Sequence, residues 1–180
     1  MGDRQLLLDA LRGKKTARTP WLPFVGTHGG SLIGVDASAY LKSVDHIVAG
    51  LTKAKALYRP DGLPIVFDLQ LEAEVLGCQL HWAPQGPPSV SSHPLAEGKT
   101  LTDLPVFSLK AGRVPVAIEA TRRMRAAHAD LALYGLICGP FTLALHLLGN
   151  DIFLEMYDNP KKVQELLAFC AGIGRTLAGA

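Results

Sequence analysis

Apolar positions along the chain follow two periods, and each predicts its own set of elements. Residues 4–12 place Leu6, Leu7 and either Leu8 or Leu11 on one side of a helix that Gly13 can end. Val44 to Tyr58 repeats the helical period, with Ile47, Leu51, Ala54 and Leu57 as the inward stripe, after capping residues at Asp36 and Ser38. Val114 to His128 turns Val116, Ala117 or Ile118, Ala120 and Met124 inward, and Arg122, Arg123 and Arg125 outward. Leu143, Leu147 and Leu148 mark a helix after Pro140. Asn150-Asp151 caps a short one ending at Tyr157, and Asn159-Pro160 opens a last one over 161–177. Short unbroken apolar runs predict buried strands at Pro20–Val25, Leu63–Phe67 and Leu131–Ile137, with another strand-like run at Cys78–Trp82. Residues 84–94, rich in Pro, Ser and Gly, read as a long loop holding His93, and Leu101–Leu109 as an irregular linker.

Strand followed by helix, three times over, favours parallel pairing through right-handed connections. Three parallel strands are too few for a sheet that must be covered on both faces. The expectation is an α/β fold whose repeating βα pattern stops partway.

Length and charge narrow the function classes. The 180 residues predict one domain over 1–180. A net charge of +2, with Lys and Arg dispersed, favours neither nucleic acid nor a membrane surface. No apolar run is long enough to span a membrane, and the N-terminus leads into an amphipathic helix instead of a signal peptide. Cys78, Cys138 and Cys170 are odd in number and far apart, which reads as buried reduced thiols in a cytoplasmic protein.

Candidate chemistry gathers between Pro60 and Gly77. A turn at Pro60-Asp61-Gly62 leads into the run ending at Phe67, and Asp68 follows at once. Leu69, Glu72, Ala73 and Leu76 then fall at helical spacing, and Gly77 closes that helix. A carboxylate at the carboxyl end of a buried parallel strand stands where α/β folds bind ligands. Asp68 therefore either faces a ligand or caps the helix after it. Gly26-Thr27-His28-Gly29-Gly30 reads as a glycine-rich loop where a ligand can approach the backbone, with His28 its one titratable side chain. His146, one turn past Thr142, is either a core histidine or a functional one.

Two segments resemble signatures of the uroporphyrinogen decarboxylase superfamily. One is Ile65-Val66-Phe67-Asp68 with Leu76-Gly77 nine residues on; the other is Cys138-Gly139-Pro140-Phe141-Thr142-Leu143. Pro87-Pro88-Ser89 and Asn159-Pro160 fall in the same order as in that family. The resemblance implies the N-terminal half of a (β/α)8 TIM barrel, because a whole barrel needs on the order of 250 residues. It implies Asp68 and His146 as catalytic residues, His28, Gly29, Phe67 and Thr142 as substrate contacts, and no metal ligand in this chain.

The superfamily holds two chemistries. One is decarboxylation of uroporphyrinogen without a cofactor. The other is methyl transfer from a corrinoid protein to a thiol or related acceptor, with zinc activating the thiol. The decarboxylases clamp substrate carboxylates with arginines in the loop after the first strand; Phe24 to Gly30 contains none. His146 stands where the decarboxylases carry a tyrosine, while Glu72-Ala73-Glu74 and Leu76-Gly77-Cys78 look more like the methyltransferase branch. The reading implied is a corrinoid-dependent methyltransferase, with zinc held in the C-terminal half and these 180 residues inactive alone. A decarboxylase of a porphyrinogen or smaller carboxylate, and a non-catalytic half-barrel subunit, are the alternatives. Implied partners are a small-molecule substrate, a corrinoid protein, and a second copy or the other half-barrel, since an open barrel edge exposes apolar surface.

Overall fold

The Asp36 and Ser43 side chains cap two of the helices, and Pro64 ends one of the strands. The structure, a computed structural model, describes residues 4–180. Met1, Gly2 and Asp3, the start of the predicted N-terminal segment, lie outside the described residues. The elements run α1 (Arg4–Leu11), α2 (His28–Ile33), α3 (Ala37–Leu41), α4 (Val44–Tyr58), β1 (Gly62–Pro64), α5 (Leu71–Val75), β2 (Leu80–His81) and β3 (Ser89–Val90). After them come α6 (Val114–Ala127), β4 (Ala132–Tyr134), α7 (Pro140–Leu148), α8 (Asp151–Asp158) and α9 (Pro160–Ala178). They form two compact units, one of residues up to 67 with 83–87 and 116–136, the other of 68–82, 88–115 and 137–180.

In the first unit, β1 pairs in parallel with β4, Gly62 opposite Ala132 and Pro64 opposite Tyr134. The predicted strands at Leu63–Phe67 and Leu131–Ile137 are thus real but shorter. Pro64 has no N–H to donate, and the pairing ends one bond later, where Ile65 N donates to Tyr134 O at 3.2 Å. Pro20–Val25 forms no strand, a correction with the same cause: Pro20 and Pro23 each lack a donor. That segment is held from outside. The Asp61 carboxylate accepts from Arg18 Nη1 and Nη2 at 2.6 Å each and from Trp21 N at 2.8 Å. Parallel pairing among the described residues is therefore two-stranded, where three strands were expected.

Helix α4 has the predicted bounds, capped by Ser43, whose Oγ accepts from His46 N at 3.3 Å. Asp36 caps α3 by accepting from Ala39 N at 2.7 Å. Ile47, Leu51 and Ala54 are buried as expected, whereas Leu57 is 56% exposed, because the helix ends one residue later. The glycine-rich stretch is not the loop it was read as. From His28 on it is helix α2, and Gly29 and Gly30 are buried. Their missing side chains admit Tyr40: a Cβ on Gly29 would lie 2.4 Å from the Tyr40 hydroxyl. Gly50 of α4 closes the same contact, its added Cβ falling 2.5 Å from the Gly29 carbonyl oxygen.

In the second unit, α7 and α9 supply most of the core. Leu143, Ala144, Leu147 and Leu148 cluster with Val163, Leu166, Cys170 and Ile173, together with Ala73 of α5, Leu76 just past its end, and Cys78. Pro140 opens α7 and Pro160 opens α9, both as predicted. The run at Cys78–Trp82 gives the two-residue β2. It pairs antiparallel with β3, a strand inside the expected 84–94 loop, Leu80 opposite Val90. Gly77 takes φ +95° past the end of α5, and Cys78 N donates to Ala73 O at 3.0 Å, so the predicted stop holds. No helix among the described residues is long and apolar enough to cross a membrane.

The glycine packing predicts opposite outcomes for one substitution at two helical sites. Gly50→Ala should destabilise the protein by about 1–3 kcal/mol through overpacking. Gly172→Ala in α9, whose Cβ meets nothing nearer than an Arg175 nitrogen at 4.0 Å, should stabilise it by about 0.5–1 kcal/mol. Urea unfolding of both variants measures the contrast.

Candidate functional site

Asp68 sits four residues past β1 and three before α5, in the second unit. Its Oδ1 accepts from Gln70 N at 2.9 Å, a turn that leads into the helix. With the Gln70 amide turned so that its nitrogen faces them, Gln70 also donates to Asp68 Oδ1 at 3.0 Å and to Pro88 O at 3.2 Å. Asp68 does not cap α5, whose N-cap position is Gln70. Its other oxygen, Oδ2, accepts a short hydrogen bond from Arg113 Nη1. Both side chains are buried.

Arg113 was not singled out by the sequence reading, and it organises this region. It follows Gly112, which takes φ +55° as the chain turns into α6. Its Nε donates to Glu74 Oε2 at 2.8 Å, and the Trp82 ring centroid lies 4.8 Å from its guanidinium carbon. One signal was available: a buried cation at the amino end of a helix opposes the helix dipole and needs carboxylates of its own. Helix α6 has no acidic residue in its first turn, so they come from Asp68 and Glu74.

Glu72, on the core side of α5, is 1% exposed. Its Oε1 accepts from Cys138 N at 2.8 Å, tying α5 to the turn before α7. Burial pushes its carboxyl above the ordinary 4.5, the Cys138 bond opposes that, and the Asp68 charge adds to it. Cys78, Cys138 and Cys170 are free, buried thiols, each pushed up to about 12, first of all by burial.

His146 lies on α7, half-buried, one turn beyond Thr142. Its carbonyl accepts from His93 Nδ1 at 2.8 Å and from Cys78 Sγ at 3.4 Å. Its own Nδ1 is buried without a hydrogen-bond partner. Burial lowers its pKa, as does His93, while the Asp68 charge acts the other way. The imidazole is therefore neutral at pH 7. With the proton on Nε2, Nδ1 is a bare acceptor.

The remaining predicted residues belong to the first unit. His28 opens α2, and its Nε2 lies 2.7 Å from the Tyr58 hydroxyl with the two rings stacked. Gly29 follows it, against Tyr40. Phe67 packs beside Gly26 and Phe24, the ring centroids 5.0 Å apart, and Phe24 also meets Tyr134 edge-on. The six candidates are thus split. Asp68, Thr142 and His146 fall in one unit; His28, Gly29 and Phe67 fall in the other.

Zinc, which the resemblance implies for thiol activation and places in the C-terminal half, meets no ready donor set among the described residues. Among the described residues no three His, Cys, Asp or Glu side chains are placed to hold one ion.

The sequence matches the uroporphyrinogen decarboxylase (URO-D) family over residues 3–178. The chain belongs to that family. Within the URO-D family its curated relatives include the methylcobamide:CoM methyltransferase MtbA of Methanosarcina mazei. That protein is 27% identical over 184 aligned residues, covering 93% of this chain and 51% of the relative. The protein of the same name from Methanosarcina acetivorans is 30% identical over 113 residues, 62% of this chain and 33% of the relative. A methylated-thiol–coenzyme M methyltransferase of Methanosarcina mazei is 36% identical over 86 residues, 47% of this chain and 23% of the relative. Among solved structures, a methyltransferase from Methanosarcina mazei superposes with a TM-score of 0.81 at 20% identity. The match covers 94% of this chain and 52% of that one. The α/β fold is thus one that a methyltransferase of known structure adopts, and the chain spans about half the length of that protein and of the MtbA relative from Methanosarcina mazei.

Glu72 gives this site a defined pH signature. A carboxyl raised on folding contributes most below its unfolded pKa, and that contribution is lost as pH rises through the folded value. Glu72→Gln keeps an oxygen for Cys138 N and removes the charge. Its stability relative to wild type should therefore climb as pH rises above about 4.5, the ordinary value. A gap between the two denaturation curves that stays flat from pH 4 to 8 contradicts the buried-carboxyl assignment.

Proposed function

We propose that the chain is part of a corrinoid-dependent methyltransferase, one that moves a methyl group from a methylcorrinoid protein to a thiol or related acceptor. The observation that carries this reading is the alignment of 93% of the chain with a methylcobamide:CoM methyltransferase. The absence of arginine between Phe24 and Gly30 supports it against a substrate with many carboxylates. The fold is taken as the N-terminal half of a (β/α)8 barrel, which the β1–β4 parallel pair and the half-length structural match support.

In this reading Asp68, held by Arg113, orients the acceptor. His146 is neutral and receives the acceptor's proton at Nδ1 through water. Thr142 is a substrate contact of the second unit, and Phe67 and His28 are proposed as contacts offered by the first. Gly29 serves indirectly, letting Tyr40 seat the helix that begins with His28. Thiol-activating zinc is assigned to residues outside this sequence, and no step is drawn through it. The cytoplasm suits three reduced, buried thiols.

Two measurements test the proposal. The 180-residue chain should hold well under one zinc per chain by metal analysis, and should not methylate thiols from a methylcorrinoid by itself. One tightly held zinc per chain contradicts the ligand assignment. Porphyrinogen turnover by a longer protein containing this sequence overturns the choice of branch.

The isolated chain is also proposed to pair with a second copy. Phe141, Phe153, Leu154, Met156 and Tyr157 are all exposed on α7 and α8, and exposed apolar side chains gathered on neighbouring helices are what a partner surface would cover. Light scattering at high concentration should return the dimer mass, and a monomer there removes the proposal.

A further inference from the structure

Arg113 has more donors than its two carboxylates accept. A guanidinium presents two forks, one pairing Nε with Nη2 and the other pairing Nη1 with Nη2. Glu74 takes Nε and Asp68 takes Nη1. Nη2, common to both forks, is buried and has no hydrogen-bond partner. The whole residue is 6% exposed. Trp82 covers one face of the guanidinium, so an acceptor for Nη2 must arrive near the guanidinium plane. An unmet buried donor is costly, and a ligand oxygen placed there offsets the cost.

The charges around it select the kind of oxygen. Asp68 and Glu74 set two negative charges against one positive. Glu72 lies close enough that the Asp68 charge opposes its ionisation. A further anion would enter the same unfavourable field. We propose that Arg113 Nη2 is a binding point for an uncharged oxygen acceptor, a carbonyl, amide or hydroxyl, on the ligand this unit takes. The methyltransferase reading supplies only what that ligand is for. Arg113 then touches the ligand, and Asp68 is its positioning residue.

The test titrates the 180-residue chain with two probes of similar size and opposite charge character, acetamide and acetate. The readout is the Arg113 Nε–H signal in ¹H–¹⁵N NMR, assigned by its loss in Arg113→Lys. Acetamide should shift the signal along a saturating curve, with acetate at least about tenfold weaker. In Arg113→Lys, which keeps the charge and loses the forks, acetamide should no longer perturb the neighbouring Trp82 indole signal. Should that variant not fold, Glu74→Gln decides the matter: with one carboxylate charge removed, acetate should approach the affinity of acetamide. No response to acetamide overturns the proposal, as does acetate binding equally well in the wild type or an unchanged preference in Glu74→Gln. Acetamide binding with no methyl transfer by the longer protein removes the functional reading alone.

Discussion

A guanidinium buried between two carboxylates fixes the second unit's polar interior. Asp68 and Glu74 lie at opposite ends of the segment that forms α5, and Arg113 ties both to the turn before α6. Buried ion pairs add little net stability, because both partners lose their water. Removing one partner is what costs, since a bare charge stays behind. Such a triad therefore acts mainly as a register pin. With Asp68 held by Arg113 and Gln70, and Glu72 held by Cys138 N, the start of α5 has few alternatives.

Much of this was legible in the sequence, and the rest was not for identifiable reasons. Helix α4 was read with its true bounds because Ile47, Leu51 and Ala54 repeat the helical period cleanly, although its cap is Ser43 and Ser38 lies inside α3. Gly77 and the proline starts of α7 and α9 were legible because each acts on its own backbone. Strands fared worse, since a strand needs a partner, and prolines in the runs at 20–23 and 64 limited what could pair. The stretch at Gly26–Gly30 was misread because glycine serves close packing as readily as loop flexibility. Tyr40, which decides between them, lies ten or more residues away. Arg113 escaped notice because its partners are 39 and 45 residues distant in the chain.

A fold shared with a methyltransferase at 20% identity constrains the backbone, and chemistry resides in side chains placed upon it. Here those side chains are a neutral histidine with a bare nitrogen, a paired aspartate and a partly unpaired arginine. All three lie in one unit, brought together from three separate segments of the chain.

The three thiols carry one more consequence. Each is buried and protonated, and none is bridged to another. An alkylating reagent reacts with thiolate, so the intact fold shields all three sulfurs twice, by access and by charge state. Cys78, Cys138 and Cys170 all belong to the core built on α7 and α9. Their labelling rate therefore clocks how often that core opens, with no probe having to be introduced.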